Sequence, residues 1–130
     1  LEKYIMESDL DIFSEKQFRF VISIENKNPI GLIDLFDFDP INHRAGIGIV
    51  IINTHRKKGH ALESVKLIED ISKNDLQIHQ LYVNVGVDNK SSLNLFKKLG
   101  YLEIGVKKDW NYVNGRYTDE VLFQKILSNE

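Results

Sequence analysis

The sequence predicts a single α/β domain spanning residues 1–130. Three observations predict it. Apolar residues recur at helical spacing in some segments and alternate or run continuously in others, in the order helix, three antiparallel strands, helix, strand, helix, hairpin. An almost continuously apolar strand feeds a basic, glycine-containing turn and then a helix. The chain has 130 residues and 42% hydrophobic content, enough to bury a real core in one compact domain.

From Leu1 to about Gln17, Leu1, Ile5, Leu10 and Phe13 are separated by charged residues, an amphipathic-helix pattern broken near Ser8. Because Leu1 already reads as mid-helix, the expectation is an N-terminally truncated domain. Phe18 to Glu25 alternates Phe18, Phe20, Ile22 and Ile24, as a strand facing a core on one side does. Asn26 to Pro29 has turn chemistry, and Ile30 to Asp39 returns as the second arm of a hairpin. After a turn at Asp39-Pro40-Ile41-Asn42, Arg44 to Asn53 is apolar enough for a strand covered on both faces. A helix is predicted from about His60 to Asn74 and a strand from Ile78 to Val87. Asp88 to Ser91 can cap a helix from about Ser91 to Leu99, which Gly100 is placed to stop in the left-handed conformation. Tyr101 to Lys108 and Arg116 to Ile126 read as strands joined near Asn114-Gly115, a dipeptide suited to a tight hairpin turn.

Composition narrows the function. The formal charge of −2, from 17 basic and 19 acidic side chains, gives no global field for nucleic acid or an anionic membrane, so neither is an expected partner. There is no cysteine, which removes disulfides, thiolate metal sites and a cysteine nucleophile; no metal site is assigned. No apolar run approaches the roughly 20 residues that span a bilayer, and no charged-then-apolar leader opens the chain. A cytoplasmic protein is the expectation.

The chemistry concentrates in two clusters. In Arg56-Lys57-Lys58-Gly59-His60-Ala61, the predicted helix start offers unpaired amides and the positive end of the macrodipole. Gly59 lets backbone approach a diphosphate, and three cations surround it. The alternative is a solvated basic turn before an ordinary helix. A P-loop is excluded, because Gly-x-x-x-x-Gly-Lys-Ser/Thr is absent, and so is a dinucleotide fingerprint. The second cluster runs from Asn89 to Tyr101.

Together these clusters resemble the GNAT superfamily of acyl-CoA N-acyltransferases. The family's Gln/Arg-x-x-Gly-x-Gly/Ala loop is matched by Arg56, Gly59 and Ala61, and its later pattern by Asn89, Ser92, Phe96, Lys98, Gly100 and Tyr101. With Asn114-Gly115-Arg116-Tyr117 and Asp119, the chain looks most like the branch that acetylates ribosomal-protein N-termini and spermidine. That resemblance implies a mainly antiparallel, mixed sheet flanked by helices, with central strands splayed into a cofactor cleft. It also implies acetyl-CoA as cosubstrate and direct acetyl transfer to a primary amine of a small molecule, polyamine or peptide N-terminus, in a possible homodimer. Backbone at Ile51, Ile52 and Asn53, with Asn84, Asn89, Ser92 and Phe96, would line the pantetheine arm. Arg56, Lys57, Lys58, Gly59, His60, Ala61 and Leu62 would hold the pyrophosphate.

Acyl transfer to an amine needs a route for the amine proton, a donor for the departing thiolate and stabilisation of the oxyanion. The resemblance implies a tyrosine donor where this chain has Phe96 and an acidic residue near Gly46; both are absent. Phe96, Tyr112 and Asp37 are the residues assigned to the catalytic centre, with Tyr82, Tyr101, His55 and Asp34 as further candidates. Asp34 and Asp37 alternate to opposite faces of their strand, so at most one meets an acceptor. Trp110 and Tyr112 either line an amine pocket or close the core, and Lys97-Lys98 and Lys107-Lys108 either face a 3′-phosphate or are solvated. The competing reading is an acyl-CoA-binding sensor or interaction module that kept the cradle and lost turnover.

Overall fold

The computed structural model describes residues 4–7, 17–24, 28–52 and 59–127. Among them the elements run β1 (Tyr4–Glu7), β2 (Phe18–Ile24), β3 (Pro29–Asp39), β4 (Arg44–Ile51), α1 (His60–Asn74), β5 (Gln80–Gly86), α2 (Lys90–Lys98), β6 (Leu102–Val113) and β7 (Arg116–Ile126). The strands form one sheet in the order β1-β2-β3-β4-β5-β7-β6. Every neighbouring pair is antiparallel except β4 with β5, which is parallel.

The opening segment corrects the helix expected over residues 1–17. Tyr4–Glu7 is a strand paired from Tyr4↔Ile24 to Glu7↔Val21. Over four residues, apolar spacing fits either element, and the ladder bonds offered by β2 decide for the strand. Residues 8–16, with the break expected near Ser8, lie outside the described residues.

One face of the sheet carries the core. Phe20 and Ile22 of β2, Ile33 and Leu35 of β3, Ala45 and Ile47 of β4, Leu81 and Val83 of β5, and Phe123 of β7 are buried there with Val65 and Ile68 of α1 and Phe96 of α2. Lys125 projects from this face of β7 and ties the helices together. Its ammonium donates to Glu69 Oε1 of α1 at 3.0 Å and to the Leu99 carbonyl at the end of α2 at 2.8 Å. The opposite face carries Leu32, Phe36, Tyr82 and Asn84, all only half-buried, and Val50, which is 61% exposed. The expectation that β4 is covered on both faces is therefore not met, because both described helices pack on the same side.

Local chemistry explains the turns. The Asp39 carboxylate accepts from the amides of Ile41 at 3.0 Å and Asn42 at 2.9 Å and from the Asn42 side chain, fixing the turn into β4. These bonds, those to Asn42 foremost, hold its pKa below the usual carboxylate range. Asn114 and Gly115 both have positive φ, at 51° and 80°, as the predicted hairpin turn requires. Strand β6 continues five residues past the expected end at Lys108 to Val113, because a bulge at Asp109, φ 52°, absorbs the irregularity. The Asp119 carboxylate supports that bulge by accepting the Asp109 amide at 2.9 Å.

Candidate active site

The parallel pair is where the sheet opens. β4 and β5 pair only at Arg44↔Gln80, Ala45↔Leu81 and Gly46↔Tyr82. β4 nevertheless continues alongside β3 to Ile51, and β5 continues alongside β7 to Gly86. Beyond Gly46 and Tyr82 the strands part, leaving a V between them. Alternation shows which backbone groups line it. The Ile52 amide donates to the Ile30 carbonyl at 2.8 Å, so Ile52, Val50 and Gly48 turn toward β3, while Ile47 and Ile49 turn toward the V. On β5, the Val87 amide donates to the Asp119 carbonyl at 3.1 Å, which sends alternate residues to β7 and turns Asn84 and Gly86 toward the opening. The sequence reading of Ile52 is thereby corrected, since its amide belongs to the β3 ladder. Ile51, which it named, keeps the phase of Ile47 and Ile49 and faces the gap with them, whereas Ile47 and Ile49 were missed; only the hydrogen-bond phase of the ladder reveals this, and composition carries no trace of it.

The start of α2 follows the carboxyl end of β5 by a short turn, and α1 is the next described element after β4. Ligands of open α/β sheets bind beyond such carboxyl ends. Gly59, at φ 81° and ψ 0°, begins α1 with no side-chain cap on the first-turn amides, and a Cβ added there would meet nothing within 4 Å. Ala61 and Leu62 pack their side chains against the core, and His60 is buried, so their amides are what this turn can present. Asn53, His55, Arg56, Lys57 and Lys58 lie outside the described residues. Asn89 caps α2, its Oδ1 accepting from the Ser92 amide at 3.2 Å and from the Ser91 hydroxyl at 3.2 Å.

At the vertex the open face is aromatic. Phe36 lies over Gly46, where an added Cβ would fall 2.3 Å from the ring, and meets Tyr82 edge-on with centroids 6.0 Å apart. Burial and the Asp37 carboxylate push the Tyr82 phenol above its ordinary pKa, and Arg44 opposes them. Asp37 has φ 51° in a bulge where the register jumps from Phe36↔Gly46 to Asp39↔Arg44. Strict alternation stops at that bulge, so the argument that put Asp37 on the face opposite Asp34 no longer holds, and the Asp37 charge reaches Tyr82. Asp34, on the same face as Phe36, is held by Arg19 in a two-point contact at 2.8 and 3.1 Å. Next to Tyr82, an open cleft of about 430 Å³ is lined by Arg44, Gln80, Asn84 and Lys107 among others.

The remaining candidates are dispersed. Phe96 is buried and stands edge-to-face with Tyr101 at 5.0 Å. Burial first, and Glu69 second, hold the Tyr101 phenol far above its ordinary pKa. Tyr112 is exposed and leans on Tyr117 at 4.9 Å near the hairpin turn, so it does not close the core, and neither does Trp110, 59% exposed. Lys107 is not a solvated cation: it bonds Asn84 Oδ1 at 2.7 Å, pairs with Glu120 at 3.1 Å and lies 4.4 Å from the Trp110 ring centroid. Lys108 pairs with Asp119 at 3.3 Å, whereas Lys97 and Lys98 are exposed.

Comparison with known proteins agrees with this geometry. The family profile described as Acetyltransferase (GNAT) domain matches residues 2–102. A spermidine N(1)-acetyltransferase of Vibrio cholerae is 34% identical over 101 residues, covering 78% of this chain and 58% of the relative. A putative ribosomal N-acetyltransferase of Bacillus subtilis is 28% identical over 100 residues, covering 77% of this chain and 54% of the relative. The chain thus spans less than two thirds of these relatives. Among solved structures, an F149G mutant of the Vibrio cholerae spermidine N-acetyltransferase superposes with a TM-score of 0.85 at 31% identity, over 90% of this chain and 68% of that one. With a profile match over most of its length and a sheet split between β4 and β5, the chain belongs to the GNAT acetyltransferase family.

Proposed function

We propose that this chain moves an acetyl group from acetyl-CoA to a primary amine by direct transfer, without a covalent enzyme intermediate. The single observation that carries the reading is the parting of β4 and β5 after Gly46↔Tyr82. An extended arm rich in amides can pair with a strand edge as a further strand would, and the backbone at Ile47, Ile49 and Asn84 faces that space. The residues present fit acetyl-CoA. The first turn of α1 suits its diphosphate, with Gly59 to Leu62 supplying backbone and Arg56, Lys57 and Lys58 supplying charge. Ile51, Asn53, Asn89, Ser92 and Phe96 complete the cofactor side. Asp37 supplies a carboxylate beside the vertex for a cationic amine, and Tyr112 stands exposed on the β6–β7 hairpin as a further acceptor-side residue. Bound acetyl-CoA supplies the activated acyl group; the protein's residues bind it, orient the amine and handle protons.

The acceptor class spans small amines, polyamines and peptide N-termini; one relative is named for spermidine and another as a putative ribosomal N-acetyltransferase. A homodimer in the cytoplasm completes the proposal; the Vibrio cholerae enzyme has been solved as a dodecamer. Among the described residues no helix is long and apolar enough to cross a membrane.

Calorimetric titration of acetyl-CoA tests the reading. Binding should be saturable in the wild type and lost in Gly59→Glu, while Gly59→Asn, which tolerates positive φ without adding charge, should retain it. A folded wild-type chain that binds no acetyl-CoA sinks the proposal. Two observations favour a second reading, an acyl-CoA-binding module without turnover: Phe36 fills the space a side chain at Gly46 would need, and Phe96 has no proton to give. Tight binding with no thiol release across a broad amine panel selects that module.

A further inference from the structure

We propose that Tyr82 is the proton donor of the acetyl transfer, its phenol protonating the sulfur that leaves as the amide forms. The inference rests on the acetyl-transfer reading above. It begins from placement. Tyr82 is the β5 member of the last ladder pair, so it occupies the vertex from which β4 and β5 diverge. Its ring lies on the open face against Phe36, beside the cleft that Arg44, Asn84 and Lys107 line.

Four of the other described candidates stand less well placed. Phe96 carries no exchangeable proton. Tyr101 is 4% exposed, with Phe96 against its ring and Glu69 beside its hydroxyl. Tyr112 stands exposed against Tyr117 near the hairpin turn. Asp34 is engaged by Arg19.

The surroundings of Tyr82 suit a group that rests protonated and gives up its proton only transiently. The charged groups facing it are Asp37 on β3 and Arg44 on β4, with Lys107 of β6 across the shared cleft. Burial and Asp37 keep the phenol neutral at rest, and Arg44 offsets the negative charge when it forms. The step balances. The nitrogen lone pair makes the C–N bond, the C–S pair leaves on sulfur, the Tyr82 proton moves to that sulfur, and the proton shed by the nitrogen restores the phenol. Amine and thioester enter; amide and thiol leave.

The test compares wild type with Tyr82→Phe in the full chain, both shown to be folded by circular dichroism. Thiol release is followed across primary amines and pH. Loss of a general acid should lower kcat by about 10²-fold or more and leave the acetyl-CoA dissociation constant within about twofold. The alkaline fall of the wild-type pH profile should vanish with it, whereas Phe36→Leu, which removes only the ring neighbour, should keep that fall. Independently of turnover, the Tyr82 resonance in ring-labelled protein, assigned by its loss in Tyr82→Phe, should titrate above an ordinary tyrosine and shift when CoA is added. A kcat for Tyr82→Phe within about threefold of wild type, or a resonance indifferent to CoA, overturns the proposal. Wild type that binds acetyl-CoA and acetylates no amine overturns it in favour of the binding module. Wild type that binds no acetyl-CoA brings down the acetyl-transfer reading itself, a result the titration separates from the others.

Discussion

Gly46→Ala isolates the contact that distinguishes this vertex. The new Cβ would lie 2.3 Å from Phe36 Cε1 and 2.4 Å from Cζ, far inside van der Waals contact. Because Tyr82 meets the same ring, Phe36 cannot retreat without disturbing a second aromatic. Overpacking of this kind costs about 1–3 kcal/mol, and replacing glycine by alanine returns about 0.4–1 kcal/mol through the unfolded chain, so a net loss of up to about 2.6 kcal/mol is expected. In a Phe36→Ala background the clash disappears, and Gly46→Ala should change sign and stabilise by about 0.4–1 kcal/mol. Two neighbouring glycines calibrate the scale. An added Cβ at Gly48 comes no closer than 4.0 Å to Phe36, so Gly48→Ala should be neutral or stabilising in either background. At Gly31 it would fall 2.3 Å from the Val50 carbonyl oxygen, a backbone atom of the neighbouring strand, so Gly31→Ala should cost the most and gain nothing from Phe36→Ala. Urea unfolding followed by far-ultraviolet circular dichroism gives each value. If Gly46→Ala costs the same in both backgrounds to within about 0.3 kcal/mol, the ring is not what fills the site, and the reasoning fails.

Three further outcomes follow from contacts elsewhere. Glu69→Gln or Lys125→Met alone should destabilise by about 2–4 kcal/mol by stranding one charge of a largely buried pair, whereas Glu69→Leu with Lys125→Met should be close to neutral; a double-mutant cycle in urea reads both. Asn89→Ala should cost about 1 kcal/mol by uncapping α2, and equal stability of wild type and variant would show that the cap contributes nothing. The Tyr101 phenol, raised by burial and Glu69, binds its proton more tightly folded than unfolded. Its contribution is therefore complete below pH about 10 and lost as pH rises above that, at about 1.4 kcal/mol per pH unit. Tyr101→Phe should flatten this alkaline slope, and an unchanged slope in pH-dependent unfolding refutes the assignment.

How far the residues announced the structure depended on whether a signal was local. Helix α1 runs from His60 to Asn74 as predicted, because helical spacing and Gly59 state its limits locally. Gly100 at φ 90° and the Asn114-Gly115 turn were legible for the same reason. Strand β1 was not, since its identity depends on pairing with β2 and four residues carry too little periodicity. The bulges at Asp37 and Asp109 were equally hidden. Aspartate tolerates positive φ but does not demand it, and the tertiary contacts of each strand choose where the extra residue goes. At the site, the glycine turn and the asparagine cap could be read from spacing. The place where β4 leaves β5 could not, because Gly46 and Tyr82 look like any strand residues until the ladder stops at them.

That division also sorts binding from chemistry. Backbone amides at Ile47, Ile49 and the first turn of α1 form the expected acyl-CoA side, and substitution alters side chains while leaving those amides in place. Proton transfer depends on side chains, and the two positions at which the resemblance implies an acid and a tyrosine hold Gly46 and Phe96 here. A chain can therefore retain the cleft through changes that would end catalysis. The two positions differ in their surroundings. Gly46 has a ring over it, so the space of an acid is filled and no carboxylate can be placed there without moving Phe36. Phe96 sits against Tyr101 in the core, so placing a hydroxyl there by Phe96→Tyr would bury a polar group beside the sheet unless the hydroxyl reached the V. If Tyr82 already donates the proton, Phe96→Tyr should add little to kcat and lower stability by about 1–3 kcal/mol. If it instead raises kcat by an order of magnitude in the wild type and rescues Tyr82→Phe, the donor belongs on α2 and the vertex phenol serves only packing.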